Sequence, residues 1–85
     1  MEQSTNKFQT SDTALAAFIQ VEGYLVIGQD YNAQRTTFIL DIDERNPMLQ
    51  ELIRLYVTGK ASVEPANYLR NYKALSKQAR NGGNP

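Results

Sequence analysis

Two runs rich in β-branched and aromatic residues, "YLVIGQDY" at 24–31 and "RTTFILDID" at 35–43, stand almost end to end with only "NAQ" between them. Runs of this composition form strands, and a connection so short forces the second to turn back antiparallel beside the first, because parallel strands need a crossover of a dozen residues or more. A β-hairpin therefore sits at the centre of the chain. Alternation then divides its side chains. Phe38, Leu40 and Ile42 share one face, opposite Thr37, Ile39, Asp41 and Asp43, while Leu25 and Ile27 oppose Tyr24, Val26 and Gly28. One face is core. The other is mixed, and Tyr24, Val26, Tyr31 and Ile39 are its apolar candidates for contact with a helix or another molecule.

Helical signals flank the hairpin. "KFQT" at 7–10 reads as a very short first strand. "TSD" follows with three candidate N-cap side chains, and Leu15, Phe18, Ile19 and Glu22 recur at helical spacing among small alanines that allow close packing. Gly23 ends this helix, since a left-handed position costs glycine little. "RNP" at 45–47 starts a second, with Asn46 as cap, Pro47 preorganised for the first turn, and Leu49, Leu52, Ile53 and Tyr56 along one stripe up to Gly59. Glu64 and Pro65 open a third, in which Leu69, Tyr72, Leu75 or Ser76, and Ala79 form the seam. The fold class is α+β, a short antiparallel sheet packed by three helices in the order β-α-β-β-α-α, over a single domain at 7–80 with flexible tails at 1–6 and 81–85.

At 85 residues such a fold buries a modest share of its surface, so help from a partner or a second copy is expected. The chain contains no cysteine and no histidine, which removes disulfides, thiolate and imidazole metal sites, nucleophile-histidine pairs and histidine acid-base catalysis. Its five glycines never take the spacing of a phosphate-binding loop. No spacing singles out a carboxylate pair for glycoside hydrolysis. Asp41, Asp43 and Glu44 form the one acidic cluster; two strand carboxylates on one face could share magnesium, but an oxygen-only site needs more ligands than this. The reading is of a protein that is not an enzyme, with no cofactor and no metal. The polar N-terminus lacks a secretory pattern and no apolar run approaches a membrane span, so the expected location is cytoplasmic.

Charge is balanced overall and divided along the chain: residues 1–45 hold three cations and seven acids, residues 46–85 six cations and two acids. Opposite halves attract, within one chain or head to tail between two. The basic share concentrates in "NYLRNYKALSKQAR" at 67–80. Tyr68 and Tyr72 share a helix face, and Lys73, Lys77 and Arg80 run roughly in line. With Arg54, Lys60 and Arg70 they would be the phosphate contacts of a weak nucleic-acid accessory protein, an exposed tyrosine stacking on a base. Zero net charge argues against that, as does the need for tyrosine rings to seal the third helix onto the core. The 58–63 link is also too long for a helix-turn-helix. Contact with another protein, including a homodimer, is the favoured function.

The run "QTSDTALAAFIQVEGYLVIG", the strand "TFIL" and the stretch "LIRLYVTGKASVEPANYLRNYKALSK" resemble a family of small bacterial and phage-encoded domains of unknown function. The likeness rests on Thr10 and Asp12 before Ala16, Ala17 and Phe18, the Gly23 to Ile27 turn into strand, Phe38, Tyr56, Val63, Pro65, Tyr68, Lys73 and Leu75, across roughly residues 8–77. It implies a compact α+β domain in a bacterial or mobile-element setting, where a phage inhibitor of a host protein would also fit. It implies no catalytic residue.

Overall fold

The computed structural model describes residues 6–32 and 35–82, apart from the side chains at 32 and 80–82. Its elements run β1 (Lys7–Thr10), α1 (Thr13–Val21), β2 (Val26–Asn32), β3 (Arg35–Asp43), α2 (Pro47–Val57) and α3 (Pro65–Gly82). The three strands form one antiparallel sheet in the order β1-β3-β2, giving the expected α+β class and element order. Since β1 and β2 both run against β3, they are parallel to each other, and α1 is the crossover between them. This topology lays α1 across one face of the sheet.

Capping chemistry explains where each helix begins and ends. Asp12 is the N-cap of α1, its Oδ1 accepting from the Leu15 N–H at 3.1 Å. Asn46 Oδ1 accepts from Met48 N–H at 2.8 Å, with Pro47 in the first turn of α2. The Glu64 carboxylate accepts from the N–H groups of Ala66 and Asn67 at the start of α3. Helices α1 and α2 close in the same way. Gly23 (φ 108°) and Gly59 (φ 76°) take positive φ, and paired backbone bonds run from Tyr24 to Ile19 and Gly23 to Gln20, and from Lys60 to Leu55 and Gly59 to Tyr56.

The core lies between the sheet and the helices. Phe38, Leu40 and Ile42 of the central strand meet Leu15 to Ile19 of α1, with Leu49 and Leu52 of α2 and Leu75 of α3 closing the sides. Five consecutive residues of α1 are buried, which is why its sequence is apolar nearly all round. Helix α3 contributes differently. Tyr68, Leu75 and Ala79 pack toward the core, and between them Asn71 accepts a hydrogen bond from Gln20 Nε2 and donates to Asn67. Gln20 Oε1 in turn accepts from the Val26 N–H at 2.9 Å, so one amide relay ties α1, β2 and α3 together. The seam therefore runs 68, 71, 75, 79. Leu69, expected on it, is half exposed, because Asn71 holds the position that an apolar pattern would give to its neighbours.

At the end of the chain α3 continues to Gly82, so residues 81 and 82, read from the sequence as tail, are helical. Gln29 Nε2 and the Thr36 hydroxyl, reaching from the hairpin, donate to the carbonyls of Gln78 and Ala79 and pin this last stretch. The rest of the two tails, 1–5 and 83–85, lies outside the described residues, as do 33 and 34 in the hairpin connection.

Candidate functional site

The register of the hairpin decides which side chains face outward. Val26 pairs with Leu40, and residues directly opposite point to the same side, so Val26 joins the buried face and Leu25 and Ile27 are turned out. The sequence reading had this strand the other way round. Tyr24 and Val26, expected on the mixed face, are half-buried against the core. Leu25 and Ile27 are 60% and 55% exposed. A bulge then shifts the alternation: Ile27 and Gly28 together oppose Ile39, after which Gln29 pairs with Phe38 and Tyr31 with Thr36. Tyr31 is thereby exposed on the helix side. Of the four residues expected on the outer face, Ile39 alone is there. Parity within one strand could not decide this, because both sets of residues in 24–27 are apolar.

The outer face has a definite composition. Ile39 stands between Gln9 of β1 and the Ile27-Gly28 bulge, and a Cβ at Gly28 would touch its Cδ1 at 3.7 Å. Leu25 adjoins through its carbonyl, which accepts from the Asp41 N–H at 2.9 Å. Around this apolar centre lie Asp30, Asp41 and Asp43, with Lys7 paired to Asp41 at 2.9 Å and Arg35 exposed at the far end. Asp43 also accepts from the Arg45 and Asn46 N–H groups, forming the turn into α2. Asp41 and Asp43 thus have structural partners, and among the described residues no cluster of three or more acids could hold a metal ion.

On the helix side, Arg70, Lys73 and Lys77 are exposed and fall on the face of α3 opposite Leu75. No ion pair engages these three among the described residues. Arg54 is held by Glu51 on α2, an exposed pair that lowers the glutamate pKa and raises that of the arginine through their shared hydrogen bond. Lys60 is exposed in the loop that follows, and the Arg80 side chain lies outside the described residues. The tyrosines do not stand along this strip. Tyr68 is half-buried, and Tyr72, 38% exposed, leans on it with ring centroids 6.2 Å apart. Tyr72 is thus less sheltered than the sequence suggests.

Tyr56 forms a second aromatic group with different chemistry. Its ring stacks on Phe18 at 6.1 Å and its hydroxyl donates to Asp12 Oδ2 at 3.1 Å, fastening α2 to the cap of α1. Burial, then the Asp12 charge and this hydrogen bond, raise the Tyr56 pKa; burial, then Tyr72 and Asp12, raise that of Tyr68. A raised phenol pKa means that the neutral form is favoured on folding, so this stability is present below about pH 10, the unfolded value, and is lost as pH rises through the folded value. In urea titrations Tyr56→Phe is expected to cost about 1 kcal/mol at neutral pH and to lose less on going alkaline than the wild type. An unchanged alkaline decline would remove Tyr56 from this role.

No family model, curated protein or solved structure matches this chain. No helix among the described residues is long and apolar enough to cross a membrane. The surfaces themselves therefore carry the functional reading.

Proposed function

We propose that the chain is a non-enzymatic protein-interaction module whose working surface is the outer face of its sheet. The supporting observation is that Leu25 and Ile27, each more than half exposed, adjoin Ile39 on a face that no described helix covers. Apolar surface gains roughly 25 cal/mol per Å² when it leaves water, and the acidic residues around it supply orientation and selectivity. A bacterial or phage setting and a cytoplasmic location belong to the same proposal, in keeping with the family resemblance.

Nucleic-acid contact is the second reading. The strip of Arg70, Lys73 and Lys77 favours it, and the absence of a fully exposed tyrosine beside that strip weighs against it. The surfaces are separated by a paired substitution. Ile27→Lys, on the open face, is expected to keep the fold and to weaken protein binding about tenfold or more, whereas Val26→Lys, on the core side, is expected to lower stability by about 1–3 kcal/mol. Wild-type and Ile27→Lys protein, immobilised side by side, are compared for retention of proteins from a bacterial lysate and of the same chain in solution. Equal retention by both refutes the proposal.

A further inference from the structure

The two charged regions face different ways within one molecule, although the hairpin touches α3 at Gln78 and Ala79. β2, β3 and their flanks from Glu22 to Arg45 hold five acids and two cations, to which β1 adds Lys7, paired with Asp41, and α3 from Pro65 to Gly82 holds four cations and no acid. Arg70, Lys73 and Lys77 turn away from Leu75 and hence from the core, while Leu25, Ile27 and Ile39 turn away from it on the sheet side. The molecule is a slab, 38 × 36 × 19 Å. Each region also pairs its charge with an apolar group. Ile27, Leu25 and Ile39 lie among Asp30, Asp41 and Asp43; Leu69, half exposed, lies beside Arg70 and one helical turn from Lys73.

From this complementarity we infer that the outer sheet face of one copy receives the α3 strip of a second copy, so that the chain associates head to tail. The inference rests on the outer face being the working surface and adds the identity of its occupant. Leu69 meets the Leu25, Ile27 and Ile39 group, and Arg70, Lys73 and Lys77 meet Asp30 and its neighbours. Such a contact joins two different surfaces, so a dimer still carries a free sheet face and a free strip, and the assembly grows past two copies, as a ring or as an open chain. It also explains how a chain of zero net charge can hold an exposed basic strip with no acid on the same helix.

Sedimentation velocity on the full chain tests this through two blocked variants. Wild type at low salt is expected to show an average mass that rises past the dimer with concentration, and to return toward monomer as salt shortens the screening length from about 30 Å at 0.01 M to about 3 Å at 1 M. Ile27→Lys lacks a receiving face, and the double variant Lys73→Glu, Lys77→Glu lacks a donating strip. Each alone should be monomeric, while their equimolar mixture should form a one-to-one dimer that does not extend. Far-ultraviolet circular dichroism checks that both fold, and Leu25→Lys replaces Ile27→Lys if the latter does not. A closed wild-type dimer lost in Ile27→Lys but intact in the double variant overturns the head-to-tail arrangement and leaves the outer-face reading standing. Assembly indifferent to Ile27→Lys overturns both. A wild type that stays monomeric at low salt overturns the self-association, and salt-sensitive retention of duplex DNA by that monomer, lost in the double variant, assigns the strip to polynucleotide instead.

Discussion

Phe38→Ala is expected to abolish or nearly abolish cooperative folding, whereas Ile39→Ala, one position along the same strand, should cost about 1 kcal/mol. Phe38 is fully buried at the middle of the central strand, flanked by Thr10 of β1 and Gln29 of β2 and covered by the helix layer. Removing its ring leaves a cavity that the two flanking strands prevent from collapsing, at a cost of about 3–5 kcal/mol. Domains hold roughly 0.05–0.15 kcal/mol of stability per residue, which at this chain length makes such a loss comparable to the total. Ile39 is on the opposite face and only half-buried, so its truncation removes contacts from a side already open to water. Urea midpoints for the two variants measure the difference. Equal losses would mean that the sheet is covered on both faces, and the outer surface proposed for binding would not exist.

The fold was readable because its signals are local and agree with one another. The short gap between two β-rich runs required a hairpin, Asn46 caps the helix expected of it, and Asp12, one of the three candidates in "TSD", and Glu64 cap the other two helices at their expected starts. Gly23 and Gly59 stop two helices at the positions where positive φ is needed. These outcomes depend on a few neighbouring residues and hardly at all on the tertiary arrangement.

The candidate surface was only partly readable, and the reason is specific to β2. Residues 24–27 are all apolar, so alternation separates them into two sets without saying which is core. Register with Leu40 decides that, and the bulge at Ile27 and Gly28 reverses the parity further along, carrying Tyr31 to the helix side. Neither event has a signature in the strand itself beyond Gly28, a residue that marks bulges. In α3 the obstacle was a polar residue at a seam position. Asn71 is accommodated there because Gln20, far away in the sequence, satisfies its amide. Reading α3 as an isolated amphipathic helix promotes Leu69 and Tyr72 in its place. The basic strip was nevertheless found, since Arg70, Lys73 and Lys77 fall together by helical spacing alone.

Leu75→Ala should release α3 from the body of the domain, with a loss of about 2–5 kcal/mol. Among the described residues of α3 it is the one fully buried apolar side chain, at 1% exposure; Tyr68 and Ala79 pack less completely, and Leu69 and Tyr72 are exposed. A helix with so little apolar surface does not hold its shape through tertiary contact once that anchor is gone, and its own propensity is insufficient in water. The bond from Gln20 of α1 to Asn71 then opens as well, since it depends on the helix being seated. Leu69→Ala is the control, expected to shift stability by less than about 0.5 kcal/mol because half of that side chain is already solvated. Hydrogen exchange over 65–82 reports the outcome directly: protection should fall in Leu75→Ala and persist in Leu69→Ala. The reverse pattern would place the seam along Leu69 and Tyr72, rotate the basic strip toward α1, and remove the donating surface on which head-to-tail assembly depends.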